Sequence, residues 1–79
     1  MSKPDLAALR AHAIGVLAEA GVPSPEADAD LLIGHVLGMS RGQVQAKALI
    51  GAPVDAEQVM TITEYIERRA TREPAQHIT

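Results

Sequence analysis

Apolar positions recur along the chain at helical spacing, and no segment of useful length alternates with period two. The pattern predicts helices and no strands. Leu6, Leu9, Ala13, Val16, Leu17 and Ala20 fall on one stripe. Ser2 and Asp5 stand in capping-box spacing, Pro4 suits a first turn, and Gly21 is a ready left-handed terminator, so helix one is expected over about residues 4–20. Ser24-Pro25-Glu26 is a strong start signal for helix two, whose buried face is expected to be Leu31, Leu32, Val36 and Leu37, ending at Gly38. Ser40 and Gln43 open a short third helix through Val44, Ala48 and Leu49. Gly51-Ala52-Pro53 breaks the chain. Asp55 and Gln58 open a last helix carrying Val59, Ile62, Tyr65 or Ile66, and Ala70, with Glu64 and Arg68 at a favourable i,i+4 spacing. Glu73-Pro74 stops it, because the residue before proline avoids the α region. The expected fold class is all-α, a small bundle of four to five short amphipathic helices.

Composition sharpens this picture. Seventy-nine residues make one small domain, which hides only about 60% of the surface its unfolded chain exposes. Hydrophobic residues are 47% of the chain, too many for a disordered tail. Fourteen of them are alanine, so close helix–helix approach must replace bulky side chains. There is no cysteine, which excludes a disulfide scaffold, a thiolate metal site and a thiol nucleophile. Seven cations against ten acids give a net charge of −3, which speaks against nucleic acid, and Tyr65 alone cannot form a base-stacking platform. The longest apolar stretch, Leu31 to Met39, is broken by His35 and falls short of the ~20 residues of a membrane span. Asp5, Arg10 and Glu19 interrupt any signal-peptide core, so a soluble cytoplasmic domain is expected.

Little in the chain suggests catalysis. His12, His35 and His77 lie on separate segments with no paired ligand spacing. His35 is expected to be half-buried and bonded to a carbonyl. Glu26, Asp28 and Asp30 cluster near a helix start, where acids stabilise the dipole, and they lack the glycine and terminal glutamate of a calcium loop. Gly34, Gly38 and Gly42 repeat every four residues without a preceding strand. Gly38 is expected to cap helix two, and Gly34 to mark a close helix contact. No serine stands with a histidine and an acid. The basic cluster is Arg68, Arg69 and Arg72, three of the seven cations within five positions. It either complements the helix dipole on a solvated face or meets an acidic partner.

Leu31 to Val44 also has the outline of a helix-turn-helix, with the turn at Gly38-Met39-Ser40. Its second helix would offer Arg41, Gln43, Gln45 and Lys47 to a major groove. Two cations are few for phosphate contacts. A purely structural helical interaction module is the other alternative.

Read end to end, the chain resembles the N-terminal domain of the bacterial release-factor glutamine methyltransferases, the HemK/PrmC family. The residues that carry the resemblance are Leu6 to Leu17, Ser24-Pro25, Ala29 through Arg41, and above all Arg69-Ala70-Thr71-Arg72-Glu73-Pro74-Ala75-Gln76-His77-Ile78-Thr79. This ending is similar to the family's R-x-E-P-x-Q-[YH]-I stretch, with Ala75 where leucine is commoner. The resemblance implies a helical substrate-recognition domain over residues 1–73 and, over 74–79, the start of a linker to a catalytic domain. It implies an S-adenosylmethionine-dependent transferase as the parent, acting on the glutamine of the Gly-Gly-Gln motif in peptide-chain release factors. The implied partners are the release factor and the catalytic domain. The family's cofactor loop and Asn-Pro-Pro-Tyr motif are not in these residues, so no catalytic, cofactor-binding or metal residue carries over. The expected contact residues are Arg68, Arg69 and Arg72 toward the partner, with Glu73, Pro74, Gln76 and Ile78 in the stretch serving the domain junction.

Overall fold

The computed structural model describes residues 5–71. Ser2, Pro4, Arg72, Glu73, Pro74, Gln76, His77 and Ile78 lie outside the described residues, and with them the expected boundary at residue 73. Four helices follow one another: α1 (Leu6–Glu19), α2 (Pro25–Leu37), α3 (Arg41–Leu49) and α4 (Ala56–Ala70). The all-α expectation holds. α1 and α2 form the centre, each packing against the other three helices, while α3 and α4 flank them.

The ends of the helices follow from local chemistry. Asp5, not Ser2, is the N-cap of α1, and its carboxylate accepts from the Ala8 N–H at 2.7 Å. Ser24 stands before Pro25 as anticipated, but its hydroxyl makes no capping bond. Ser40 and Gln43 form a reciprocal box: the Gln43 N–H donates to Ser40 Oγ, and the Ser40 N–H donates to Gln43 Oε1 at 2.8 Å. The Asp55 N–H likewise donates to Gln58 Oε1. At the α2 terminus Gly38 takes φ 69°, a left-handed conformation that glycine adopts without strain. The start of α1 is stitched to the loop before α4, where the Leu6 N–H donates to the Ala52 carbonyl at 2.8 Å.

The core is aliphatic throughout. Leu6, Leu9, Ala13 and Leu17 supply the α1 stripe, and Ile62 and Ile66 that of α4. Val22 and Val54, both in connections, are buried as well. On α2 the buried set is Ala29, Asp30, Leu32, Ile33 and Gly34, which corrects the expected face. Leu31 is 50% exposed, and Val36 and Leu37 are only partly buried. The cause is geometric. Successive residues of a helix turn by about 100°, so the run Leu31-Leu32-Ile33 spans about 200° and cannot all face one neighbour. Packing on three helices takes Leu32 and Ile33 and turns Leu31 outward. On α3, Val44 is the single buried residue, and Leu49, expected on the inner face, is 88% exposed.

Alanine and glycine let the backbones approach. A methyl group built on Gly34 would collide with the Met39 backbone carbonyl and press on Val44 Cγ2 at 3.4 Å. Gly34 is therefore where the α2–α3 turn folds back against α2. Gly42, by contrast, sits in α3 with nothing within 4 Å of such a methyl. Gly34→Ala should cost about 1–3 kcal/mol, since backbone cannot yield as a side chain does. Gly42→Ala should raise stability by about 0.5–1 kcal/mol. Urea midpoints of the two variants check both signs.

Candidate functional site

The densest polar site is a buried carboxylate. Asp30 has no exposed surface and lies on the inner side of α2. Arg10 of α1 reaches it with two donors, Nε to Oδ1 at 2.6 Å and Nη2 to Oδ2 at 3.2 Å. From α3, Arg41 Nε donates to Oδ2 at 3.2 Å and Gln45 Nε2 at 3.3 Å. One carboxylate thereby joins three helices. Burying an ion costs several kcal/mol unless its lone pairs are all used, and four donors use them here. Burial by itself pushes the Asp30 carboxyl up. The hydrogen bonds from Arg10, Arg41 and Gln45, with the Arg10 charge, outweigh that and hold it below the usual carboxylate range. Arg10 is pushed up by its bond to Asp30, against the opposing effect of burial, and by the charges of Asp30 and Glu26.

This site corrects the dipole expectation for Asp30, while Glu26 and Asp28 do lie in the first turn of α2. Asp28 is also spoken for, since Arg69 Nε of α4 donates to its Oδ2 at 2.8 Å and ties α4 to α2. A signal for Asp30 was present in the chain. Asp30, Ile33, Gly34 and Leu37 recur at i, i+3, i+4 and i+7, which puts the acid on the apolar face.

The remaining candidates separate. Arg69, one of the three arginines expected to meet a partner, is turned inward to Asp28, with its side chain only 17% exposed. Arg68, the residue before it, is partly exposed. His35 is exposed, not half-buried, and its ring lies 6.2 Å from that of Tyr65 at a 41° tilt. His12 is exposed on α1. Among the described residues no three of His, Cys, Asp or Glu converge on a point that could hold a metal. Also among them, no helix is long and apolar enough to cross a membrane.

The helix-turn-helix outline is real in shape, as α2, a turn at Gly38 and α3. Its reading side chains are occupied. Arg41 and Gln45 bind Asp30, and Gln43 caps its own helix. Of the four only Arg41 and Lys47 are cations, too few to hold a duplex. Shallow apolar grooves remain, one between α1 and α3 along Ala7, Ala11, Ile14, Ala48 and Leu49. What the arrangement does chemically is bind helices together with charge.

A carboxylate held below its unfolded value stabilises the fold fully above that value, about 3.9, and the contribution is lost as pH falls through it toward the folded value. Stability should therefore be flat from neutral pH to about 5 and fall below about 4. Asp30→Asn should cost about 3 kcal/mol at pH 7, by leaving two guanidiniums without their carboxylate. The gap between the urea midpoints of variant and parent should close as pH drops toward 3.

A family model described as the PrmC N-terminal domain matches residues 8–79. The release factor glutamine methyltransferase of Deinococcus radiodurans is 42% identical over 71 residues, covering 90% of this chain and 25% of that protein. The protein of the same name from Streptomyces coelicolor is 41% identical over 69 residues, 87% of this chain and 22% of its own length. The human MTRF1L release factor glutamine methyltransferase is 33% identical over 70 residues, 89% of this chain and 21% of its own length. The chain thus spans no more than a quarter of the length of these relatives. No solved structure matches it. The family match begins in the first turn of α1 and takes in the Asp30 hub, the α2–α3 turn and all of α4, and by that extent the chain belongs to the PrmC N-terminal domain family.

Proposed function

We propose that this domain is the N-terminal part of a release factor glutamine methyltransferase, where it helps engage the release factor and position the catalytic domain. The observation that carries this is the family match over residues 8–79, in relatives about four times longer that are named for that activity. The fold supports it. The described residues form a bundle with its own core, and their buried charges hold helices together. The alternative of a DNA-reading helix-turn-helix gains nothing from the geometry, since its second helix offers only two cations and one of them, Arg41, is paired with Asp30.

In this reading the parent transfers a methyl group from S-adenosylmethionine to the side-chain amide nitrogen of a release-factor glutamine. The described residues do not fit that cofactor. They supply no strand leading into a glycine-rich turn, and the buried acid of the helices is engaged by arginines. The cofactor site then belongs to the remainder of the parent. Residues 1–73 form the recognition domain and 74–79 begin the linker, in a protein that works in the cytoplasm.

The partner contact is proposed at the basic end of α4. It comprises Arg68, Arg69 and Arg72, of which Arg69 also ties α4 to Asp28 of α2, with Glu73, Pro74, Gln76 and Ile78 at the domain junction. The full-length parent, given methyl-labelled S-adenosylmethionine and a release factor, should label the factor's glutamine. No transfer by the unmodified parent would overturn the assignment. Reversing Arg68 and Arg72 to glutamate, with Arg69 intact, should lower kcat/KM for the release factor by about tenfold, ~1.4 kcal/mol, and leave cofactor affinity unchanged. Unaltered kinetics would remove this surface from the recognition role.

A further inference from the structure

We propose that α3 undocks and unfolds as one cooperative segment while α1, α2 and α4 stay folded. Four observations point there. The first is packing. α3 rests on α1 and α2 only, and among the described residues it makes no packing contact with α4. Val44 is its one buried side chain, whereas α1 buries four. The large apolar residues at its far end, Leu49 and Ile50, are 88% and 73% exposed and do not hold it down.

The second is the asymmetry of the Asp30 hub. Arg10 holds the carboxylate with two donors, the shorter at 2.6 Å. The two bonds from α3, at 3.2 Å and 3.3 Å, are among the longer ones, and the Arg41 side chain is 55% exposed. When α3 departs, Asp30 keeps Arg10 on both oxygens. The charge stays paired and water entering from the vacated side replaces the two α3 donors, so the cost that normally locks a buried ionic network is lowered. Had Arg10 been the weaker contributor, opening α3 would have stranded the carboxylate.

The third is the pair of flanking glycines. Gly38 at φ 69° and Gly51 at φ 62° stand one on each side of α3. Gly51 can change backbone region at little cost, as a hinge residue must, while Gly38 stays in place as the C-cap of α2 and marks where the moving segment begins. The fourth is the capping. The Ser40–Gln43 box belongs to α3 alone, so its departure breaks no cap of another helix. Opening uncovers the Gly34 side of α2, against which Val44 now rests. The domain therefore has a second conformation that differs from the first in one element.

Once undocked, α3 cannot persist as a helix. Nine residues fall below the ~12–15 that an isolated helix needs, so its amides exchange with solvent each time it opens. Native-state hydrogen exchange of the 79-residue chain in low guanidinium reads this directly. The Val44 to Leu49 amides should share one protection factor, at least about tenfold below those of Leu32, Ile33 and Ile62, with a weaker dependence on denaturant. Gln45→Ala should lower α3 protection a further three- to tenfold or so and leave the other helices unchanged. Three results would overturn the proposal. One is α3 amides that exchange only with global unfolding, at the denaturant slope of α2. Another is protection that declines steadily toward Leu49 with no shared value, which is fraying of one end. The third is a loss of protection in Gln45→Ala that is equal in all four helices.

Discussion

A single carboxylate with no exposed surface sets the terms for this bundle. Asp30 sits where α1, α2 and α3 meet, and a bare charge there would cost more than a domain of this size can spare. Everything around it answers that constraint. α1 must present Arg10 at one height, α3 must present Arg41 and Gln45 one turn apart, and α2 must be rotated so that the acid faces in. That rotation is why Leu31 faces water and Ile33 does not. In a core of small aliphatic side chains, an ionic contact with fixed donors specifies a register that methyl groups alone leave loose.

Most of the helix boundaries were legible because they are local. The Ser40–Gln43 and Asp55–Gln58 boxes, Pro25 at a first turn and Gly38 after a last one act over three or four residues, and the structure repeats them. The α1 stripe was legible for the same reason, as one continuous periodic face. What failed depended on several neighbours at once. α2 is wrapped on three sides, so its apolar run does not disclose which member is left out. Asp28 and Asp30 near a helix start have a sufficient local explanation in the dipole, and it hid their partners 41 and 20 residues away. His35 was judged by its apolar neighbours in sequence, yet it lies on the outer side of α2.

The same ion pairs tie several of the charged side chains to the bundle itself. Arg41 and Gln45 would be the reading residues of a helix-turn-helix, and each gives a donor to Asp30 while staying exposed. Arg69 would be the middle of a basic patch, and it is drawn to Asp28. A count of cations along the chain overstates what the surface offers. The chain's membership in the PrmC N-terminal domain family takes in all of these ion-paired positions.

Tyr65 is the one aromatic side chain in the chain, and it lies at the seam between α2 and α4, against His35. All intrinsic fluorescence of the folded domain therefore originates at that seam. A fluorescence melt reports first on the separation of α4 from α2, and α3, which among the described residues makes no contact with α4, has no fluorophore of its own. A single transition by fluorescence would therefore describe the α2–α4 seam and carry no direct signal from α3. Placing a tryptophan at the exposed position of Leu49 would give the silent side its own signal.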